Sequence, residues 1–141
     1  MLADMKLRLR SLLLQHEGYK MRPYTDTKGN ITIGIGRNLT ERGVMPTEID
    51  QFFNNDADYF FHQLSITYHW YPYLDTPRQI ALIDLSFAGM KTFAGFRNMI
   101  AALEDKNYAQ AANEILNSRY AKEVGRRATD LADIIRTGVL P

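Results

Sequence analysis

Apolar side chains recur at helical spacing along most of this chain and alternate with polar ones in one short stretch. The first helical pattern is formed by Met5, Leu9, Leu12 and Leu13. This spacing predicts an amphipathic helix. The helix is expected to end at about Glu17, because the following Gly18 is a common helix-ending residue.

The alternating stretch, ITIGIG, covers residues 31–36 and predicts a β-strand. Its isoleucines lie on one face, and Thr32, Gly34 and Gly36 lie on the other. The second face is small and polar, so it can admit a ligand. Turn residues precede this strand, and the sequence therefore predicts a tight hairpin.

The length of the hairpin loop decides which side chains share a face. A three-residue loop at 27–29, with its glycine in the left-handed conformation, places Asp26 opposite Asn30 and Tyr24 opposite Thr32. Asp26 and Thr32 then lie on the same face. A two-residue loop would place the Asp26 carboxylate among the isoleucines, where it would be poorly solvated, so the three-residue loop is predicted.

The rest of the chain is predicted to be helical. After a loop at 37–46, a helix is expected at 47–64. Its apolar positions, expected in the core, are Ile49, Phe52, Phe53, Tyr59, Phe60 and Leu64. Residues 79–87 are apolar nearly all round, which is typical of a buried central helix. Further helices are predicted at 98–103, 108–116 and 129–135, with breaks at Asn107 and Gly125.

Composition narrows the class of protein. The 141 residues carry 17 Lys and Arg against 16 Asp and Glu, a formal charge of +1, so no nucleic-acid partner is predicted. There is no cysteine, and the three histidines lack the spacing of a metal site, so no metal is assigned.

Lys6, Arg8 and Arg10 interrupt the N-terminal apolar run, which is interpreted as a helix rather than a secretion signal. No segment approaches the length of a membrane span.

Glu17 and Asp26 suggest a chemistry. Cleavage of a glycosidic bond needs one carboxylic acid to protonate the leaving oxygen and a second carboxylate to assist the attack. Glu17 is placed on a helix end and Asp26 on the hairpin. Two acids nine residues apart are common, however, and solvated surface acids would give the same spacing.

A resemblance adds to the acid pair. The segment HEGYKMRPYTDTKGNITIGIG, with Glu, eight residues, Asp, five residues and Thr, resembles the phage-type lysozymes, a glycoside hydrolase family. The resemblance continues through YLDTPRQIALIDLSF, FAGFRNMIAAL, and SRYAKEVGRRA to RTG, so it covers nearly the whole chain in the right order. It implies a mainly helical α+β fold in one domain, 1–141. The domain would have a hairpin lobe at about 17–46, a linking helix at 47–64, a helical lobe at 77–138 that the N-terminal helix joins, and a cleft between the lobes.

The resemblance also implies roles for single residues. Glu17, Asp26 and Thr32 match the catalytic set, in which Glu17 is the general acid and Thr32 holds a water beside Asp26. Arg127 matches an arginine beside the catalytic Glu. Arg37 stands where the family commonly has a histidine, and Asp56 matches the acid that pairs with it. The positions that match sugar contacts are Phe87, Asn38, Met99 and Glu114.

The implied activity is hydrolysis of the peptidoglycan bond between N-acetylmuramic acid and N-acetylglucosamine, with inversion and without a cofactor. A monomeric phage or prophage endolysin would be made in the host cytoplasm and would reach the wall with a holin-type partner, although a virion-associated role is also compatible. The alternatives are a lytic transglycosylase and an inactive wall-binding domain. The segment from Phe87 to Phe93 is shorter than in relatives, and Ala88 replaces an amide, which leaves subsite preference open.

Overall fold

Eight α-helices and one small antiparallel sheet make up the chain, whose structure is a computed structural model describing Met1–Pro141. This mainly helical α+β architecture confirms the predicted fold class. The chain divides into two compact units, Met1–Phe52 and Phe53–Pro141. None of its helices has both the length and the apolar character that crossing a bilayer requires.

The first unit contains one helix, the sheet and the beginning of a second helix. These elements are α1 (Ala3–Glu17), β1 (Lys20–Thr25), β2 (Ile31–Gly34), β3 (Arg37–Asn38) and the first turns of α2 (Pro46–Thr67). Helix α1 ends as predicted, with Gly18 at a φ of 80° after its last turn. No side chain of α1 is fully buried, and of its leucines Leu13 and Leu14 are partly buried.

The sheet has the strand order β1-β2-β3, and its first hairpin has the predicted register. Tyr24 pairs with Thr32, and the Asp26 N–H donates to the Asn30 carbonyl at 2.9 Å. Gly29 lies in the loop with a φ of 83°, which glycine adopts without steric cost. The three-residue loop is therefore confirmed. Strand β3 falls within the segment that was predicted to be a loop, and a tight turn joins it to β2.

The second unit is helical and holds the buried core. Its elements are the rest of α2, a short 3-10 helix (Tyr71–Tyr73), α3 (Thr76–Ser86), α4 (Met90–Ala94), α5 (Arg97–Glu104), α6 (Tyr108–Leu116), α7 (Arg119–Val124) and α8 (Arg126–Thr137). The largest fully buried side chains are Tyr71, Phe93, Leu64, Leu82, Leu85, Met99, Leu103, Ile115 and Ile135. The sequence located α3, α5, α6 and α8, but α4 and α7 were not predicted.

The aromatic face of α2 differs from the expectation. Of its six predicted core positions only Leu64 is buried, and Phe52, Phe53 and Tyr59 are more than half exposed. Helix α3 is also less enclosed than its composition suggests, because Ile80 is 43% exposed although Leu82 and Leu85 are buried. Periodicity predicts where the helices lie, but tertiary packing decides which of their apolar residues are covered.

Arg78 fixes the end of α8 to the start of α3. Its guanidinium donates to the carbonyls of Ile135 at 2.6 Å and Arg136 at 3.1 Å, and it pairs with Asp75 at 3.0 Å. The last carbonyls of a helix have no partner within the helix. A charged side chain of α3 therefore supplies the missing donors and links α3 to the end of α8.

Candidate active site

Glu17 is the last residue of α1, and the residue is exposed. Gly18 follows in a positive-φ conformation, which ends the helix and turns the chain toward β1. A side chain on a helix end is held by a regular backbone, as a catalytic acid requires. The structure thus places Glu17 on the predicted element.

Asp26 directly follows β1 and is partly buried. Its Oδ1 accepts hydrogen bonds from the N–H groups of Lys28 at 2.9 Å and Asn30 at 2.8 Å. An aspartate that caps a turn in this way is common in loops. Here the same bonds also fix the orientation of the carboxylate, and they leave Oδ2 for another partner.

Thr32 lies in β2, opposite Tyr24, and only 3% of its surface is exposed. Its hydroxyl donates to the Asn30 carbonyl at 3.2 Å, and that carbonyl also accepts the Asp26 N–H. Asp26 and Thr32 are therefore linked through one peptide oxygen on one hairpin face. Ile31, on the opposite face, is half exposed.

Arg37 pairs with an acid of its own unit. It forms an ion pair with Glu48 at 2.7 Å, and its guanidinium also donates to the Gly43 carbonyl at 3.2 Å. Its expected pairing with Asp56, a residue of the other unit, stays a prediction. Glu48 also accepts the Met45 N–H at 2.8 Å, which satisfies a free donor at the start of α2. These hydrogen bonds, first that from Arg37, hold the pKa of Glu48 below its usual value.

Arg127 binds Asp84 within the second unit. Its guanidinium donates to the Asp84 carboxylate at 2.8 Å through Nε and to the Asp84 carbonyl at 3.0 Å. The hydrogen bond with this carboxylate raises the pKa of Arg127. The predicted position of Arg127 beside Glu17, a residue of the other unit, stays a prediction.

Phe87 lines an apolar groove of about 580 Å³ in the second unit. Its ring centroid is 4.9 Å from that of Phe60, and 42% of its surface is exposed. Asp84 and Arg127 line the same groove. Phe87 is thus available to a ligand, and its predicted sugar contact stays a prediction.

The other three predicted sugar contacts have different environments. Met99 is fully buried in the core, where its side chain cannot touch a polymer, so this prediction is not supported. Asn38 and Glu114 are partly exposed. Asn38 accepts the Glu41 N–H at 2.9 Å, and Glu114 accepts a hydrogen bond from Gln110 at 2.7 Å. Their contacts with substrate remain predictions.

Two carboxylates that sequence reasoning missed bind the two predicted arginines, one in each unit. Glu48 binds Arg37, and Asp84 binds Arg127. Each had a signal in the sequence. Glu48 is the third residue of α2, the position from which an acid reaches back to the helix start. Asp84 is the only acid of α3 and interrupts its apolar run at 80–85, where an unpaired charge would be costly.

Comparison with known proteins shows the family of this chain. The profile of the Phage lysozyme family matches residues 14–133. Two proteins of Dictyostelium discoideum are similar over nearly their full lengths. Probable T4-type lysozyme 2 is 26% identical over 162 aligned positions, and Probable T4-type lysozyme 1 is 25% identical; both alignments cover 94% of this chain and 95% of the relative. The family match includes the hairpin and most of the helical unit, and the chain belongs to the phage lysozyme family.

Proposed function

We propose that this protein is a muramidase that hydrolyses the β-1,4 bond between N-acetylmuramic acid and N-acetylglucosamine in peptidoglycan. Membership of the phage lysozyme family supports a peptidoglycan hydrolase, and both relatives are named as lysozymes. The identity of the cleaved bond is inferred from this likeness together with the geometry of the hairpin. Glu17 acts as the general acid that protonates the leaving oxygen, and Asp26 acts as the general base.

The hairpin geometry around Asp26 is the observation that carries this proposal. Two backbone N–H groups bind Oδ1, so the carboxylate has a fixed direction before any substrate arrives. Oδ2 is then the oxygen that accepts a proton from the attacking water. Such preorganisation lowers the cost of reaching the transition state, because the base needs no reorientation during the reaction.

Thr32 completes the water site. Its hydroxyl hydrogen is committed to the Asn30 carbonyl, so its oxygen offers only lone pairs to a further partner. A water can donate one hydrogen to Thr32 and the other to Asp26. Its own lone pair then points away from both, toward the sugar carbon under attack. This arrangement suits an inverting mechanism, in which a water lies between the base and the sugar.

Digestion of purified peptidoglycan by the purified protein, followed by mass spectrometry, tests the proposed reaction. Hydrolysis adds one water per bond cleaved and produces reducing-end N-acetylmuramic acid. A lytic transglycosylase instead produces an anhydro sugar, with no water added. Anhydro products, or the absence of any cleavage, would contradict the proposed function.

We further propose that the enzyme acts on the wall as a lytic endolysin and depends on a membrane-permeabilising partner of the holin type. The family supports the substrate, and the lytic role is an extension of it. Addition of the purified protein to Gram-negative cells with and without chloroform permeabilisation tests this role. Clearing only in permeabilised cells is expected, and no clearing in either would contradict it.

A further inference from the structure

Gly36 lies directly against the side chain of Glu17. It follows β2 in the tight turn that leads to β3, with a φ of 77°. A Cβ atom at this position would lie 2.8 Å from Cγ of Glu17 and 3.3 Å from both its Cβ and its Cδ. Real Cβ atoms essentially never come as close as 2.8 Å to such a neighbour. The Glu17 side chain therefore occupies the space that any other residue at position 36 would fill.

Backbone conformation alone does not explain this contact. Gly43 also has a positive φ, 66°, but a Cβ there would meet nothing within 4 Å. Gly29, in the first hairpin, is equally open, with a φ of 83°. The requirement at these positions is the left-handed backbone. At Gly36 a second requirement is added, namely close packing against the proposed catalytic acid.

We propose that Gly36 is a positioning residue, whose bare backbone forms the seat that holds Glu17 in its working conformation. A glutamate at a helix end has three rotatable side-chain bonds and many accessible rotamers. Contact along Cβ, Cγ and Cδ excludes rotamers that would enter the turn. This role in catalysis rests on the proposed function, because it assumes that Glu17 is the general acid.

The seat also connects the acid with the rest of the hairpin. Gly36 ends the turn that follows β2, and β2 carries Thr32 and pairs with β1 next to Asp26. The contact with Gly36 thus positions Glu17 relative to the same sheet that holds the base and the water site. Catalytic groups must keep their mutual geometry closely, since misplacement by about 1 Å can lower rates roughly a hundredfold.

Gly36→Ala tests the catalytic part of the proposal, with Gly43→Ala as the matched control. Both variants place a Cβ on a left-handed backbone, but only the first meets Glu17. With a soluble peptidoglycan fragment, kcat of Gly36→Ala should fall at least about tenfold below that of Gly43→Ala, with KM changed much less. If Gly36 has only a structural role, each variant should lose activity in proportion to its loss of stability. Equal kcat in the two folded variants would overturn the proposal.

A double-mutant cycle tests the contact without any activity measurement. Glu17→Ala removes Cγ and Cδ, so Gly36→Ala should shift the urea midpoint less in that background than in the wild type, whereas the shift for Gly43→Ala should be the same in both. If Gly36→Ala folds only in the Glu17→Ala background, the contact is supported. Equal shifts, or failure to fold in both backgrounds, would overturn it. If the cycle shows coupling between positions 17 and 36 but the wild-type protein is inactive, the contact is supported and the proposed function is wrong.

Discussion

Asp26 and Asn30 bind each other twice across the hairpin loop. The Asn30 N–H donates to Asp26 Oδ1 at 2.8 Å, and the Asp26 N–H donates to the Asn30 carbonyl at 2.9 Å. One residue thus both closes the loop and presents the proposed base. The structural and the catalytic roles of Asp26 can be separated, because the first needs only an acceptor oxygen and the second needs a carboxylate.

Asp26→Asn and Asp26→Ala should differ in stability but not in activity. Asparagine keeps an acceptor for the Lys28 and Asn30 N–H groups, whereas alanine leaves them without one. Loss of this acceptor should cost about 1–3 kcal/mol of unfolding free energy. Both variants should lose hydrolysis, since neither can accept the proton of the water. Urea denaturation and a turnover assay measure the two effects. Full activity in Asp26→Asn would exclude Asp26 as the base.

Glu17→Gln should abolish hydrolysis and keep the fold. The amide has nearly the shape of the acid but cannot donate a proton to the leaving oxygen, so a loss of at least about a hundredfold is expected. Circular dichroism and thermal melting confirm that the variant is folded. Because functional sites often cost stability, the melting temperature is expected to stay equal or rise. Near-normal turnover in a folded variant would remove Glu17 from the mechanism.

The Arg37–Glu48 pair predicts an acid-sensitive contribution to stability. Hydrogen bonds from Arg37 and from the Met45 N–H lower the pKa of Glu48 from its ordinary 4.5. A lowered folded-state pKa means that the contribution is complete above the unfolded pKa and is lost as the pH falls through the folded one. The melting temperature should therefore fall less between pH 6 and pH 3 in Glu48→Gln than in the wild type. Glu41→Gln, a nearby exposed acid, is the control and should keep the wild-type slope.

Local chemistry in the hairpin made its structure predictable from the sequence. Gly29 needs a positive φ, and the carboxylate of Asp26 avoids the isoleucine face, so only one register satisfies both. The environment of Met99 was not predictable in this way. Its burial depends on how α5 is rotated against its neighbours. A resemblance transfers residue positions, but it does not transfer their packing.

The contact of Arg37 with Glu48 was not predicted, for a related reason. A long arginine side chain can pair with any of several acids, and sequence position alone does not rank them. Glu48 is already fixed by its bond to the Met45 N–H, so pairing with it costs little further side-chain entropy. Local capping thus favours Glu48 as a partner of Arg37, a contact that the resemblance did not imply.

Thr32→Val should lower kcat more than it raises KM. Valine keeps the shape of the buried side chain but removes the oxygen that accepts the water's hydrogen. A loss of about a hundredfold in kcat is expected, because the water is no longer oriented. Thr32→Ser keeps the hydroxyl and is the control. An equal loss in both variants would indicate a packing role instead.

The product should form first as the α-anomer. Two backbone N–H groups bind Asp26 Oδ1, and the Thr32 hydroxyl donates its hydrogen to the Asn30 carbonyl. Both side chains therefore keep lone pairs that can accept hydrogen bonds from a water. This arrangement favours attack by a water over direct attack by Asp26. Room for that water requires carboxyl groups roughly 6.5–9.5 Å apart, the separation of inverting enzymes, whereas a nucleophilic carboxylate needs about 5–5.5 Å. Inversion of a β-1,4 bond gives the α-anomer. Time-resolved NMR of a soluble peptidoglycan fragment detects the first anomer before mutarotation. Initial β-anomer, or a glycosyl adduct on Asp26, would show that Asp26 is the nucleophile of a retaining mechanism.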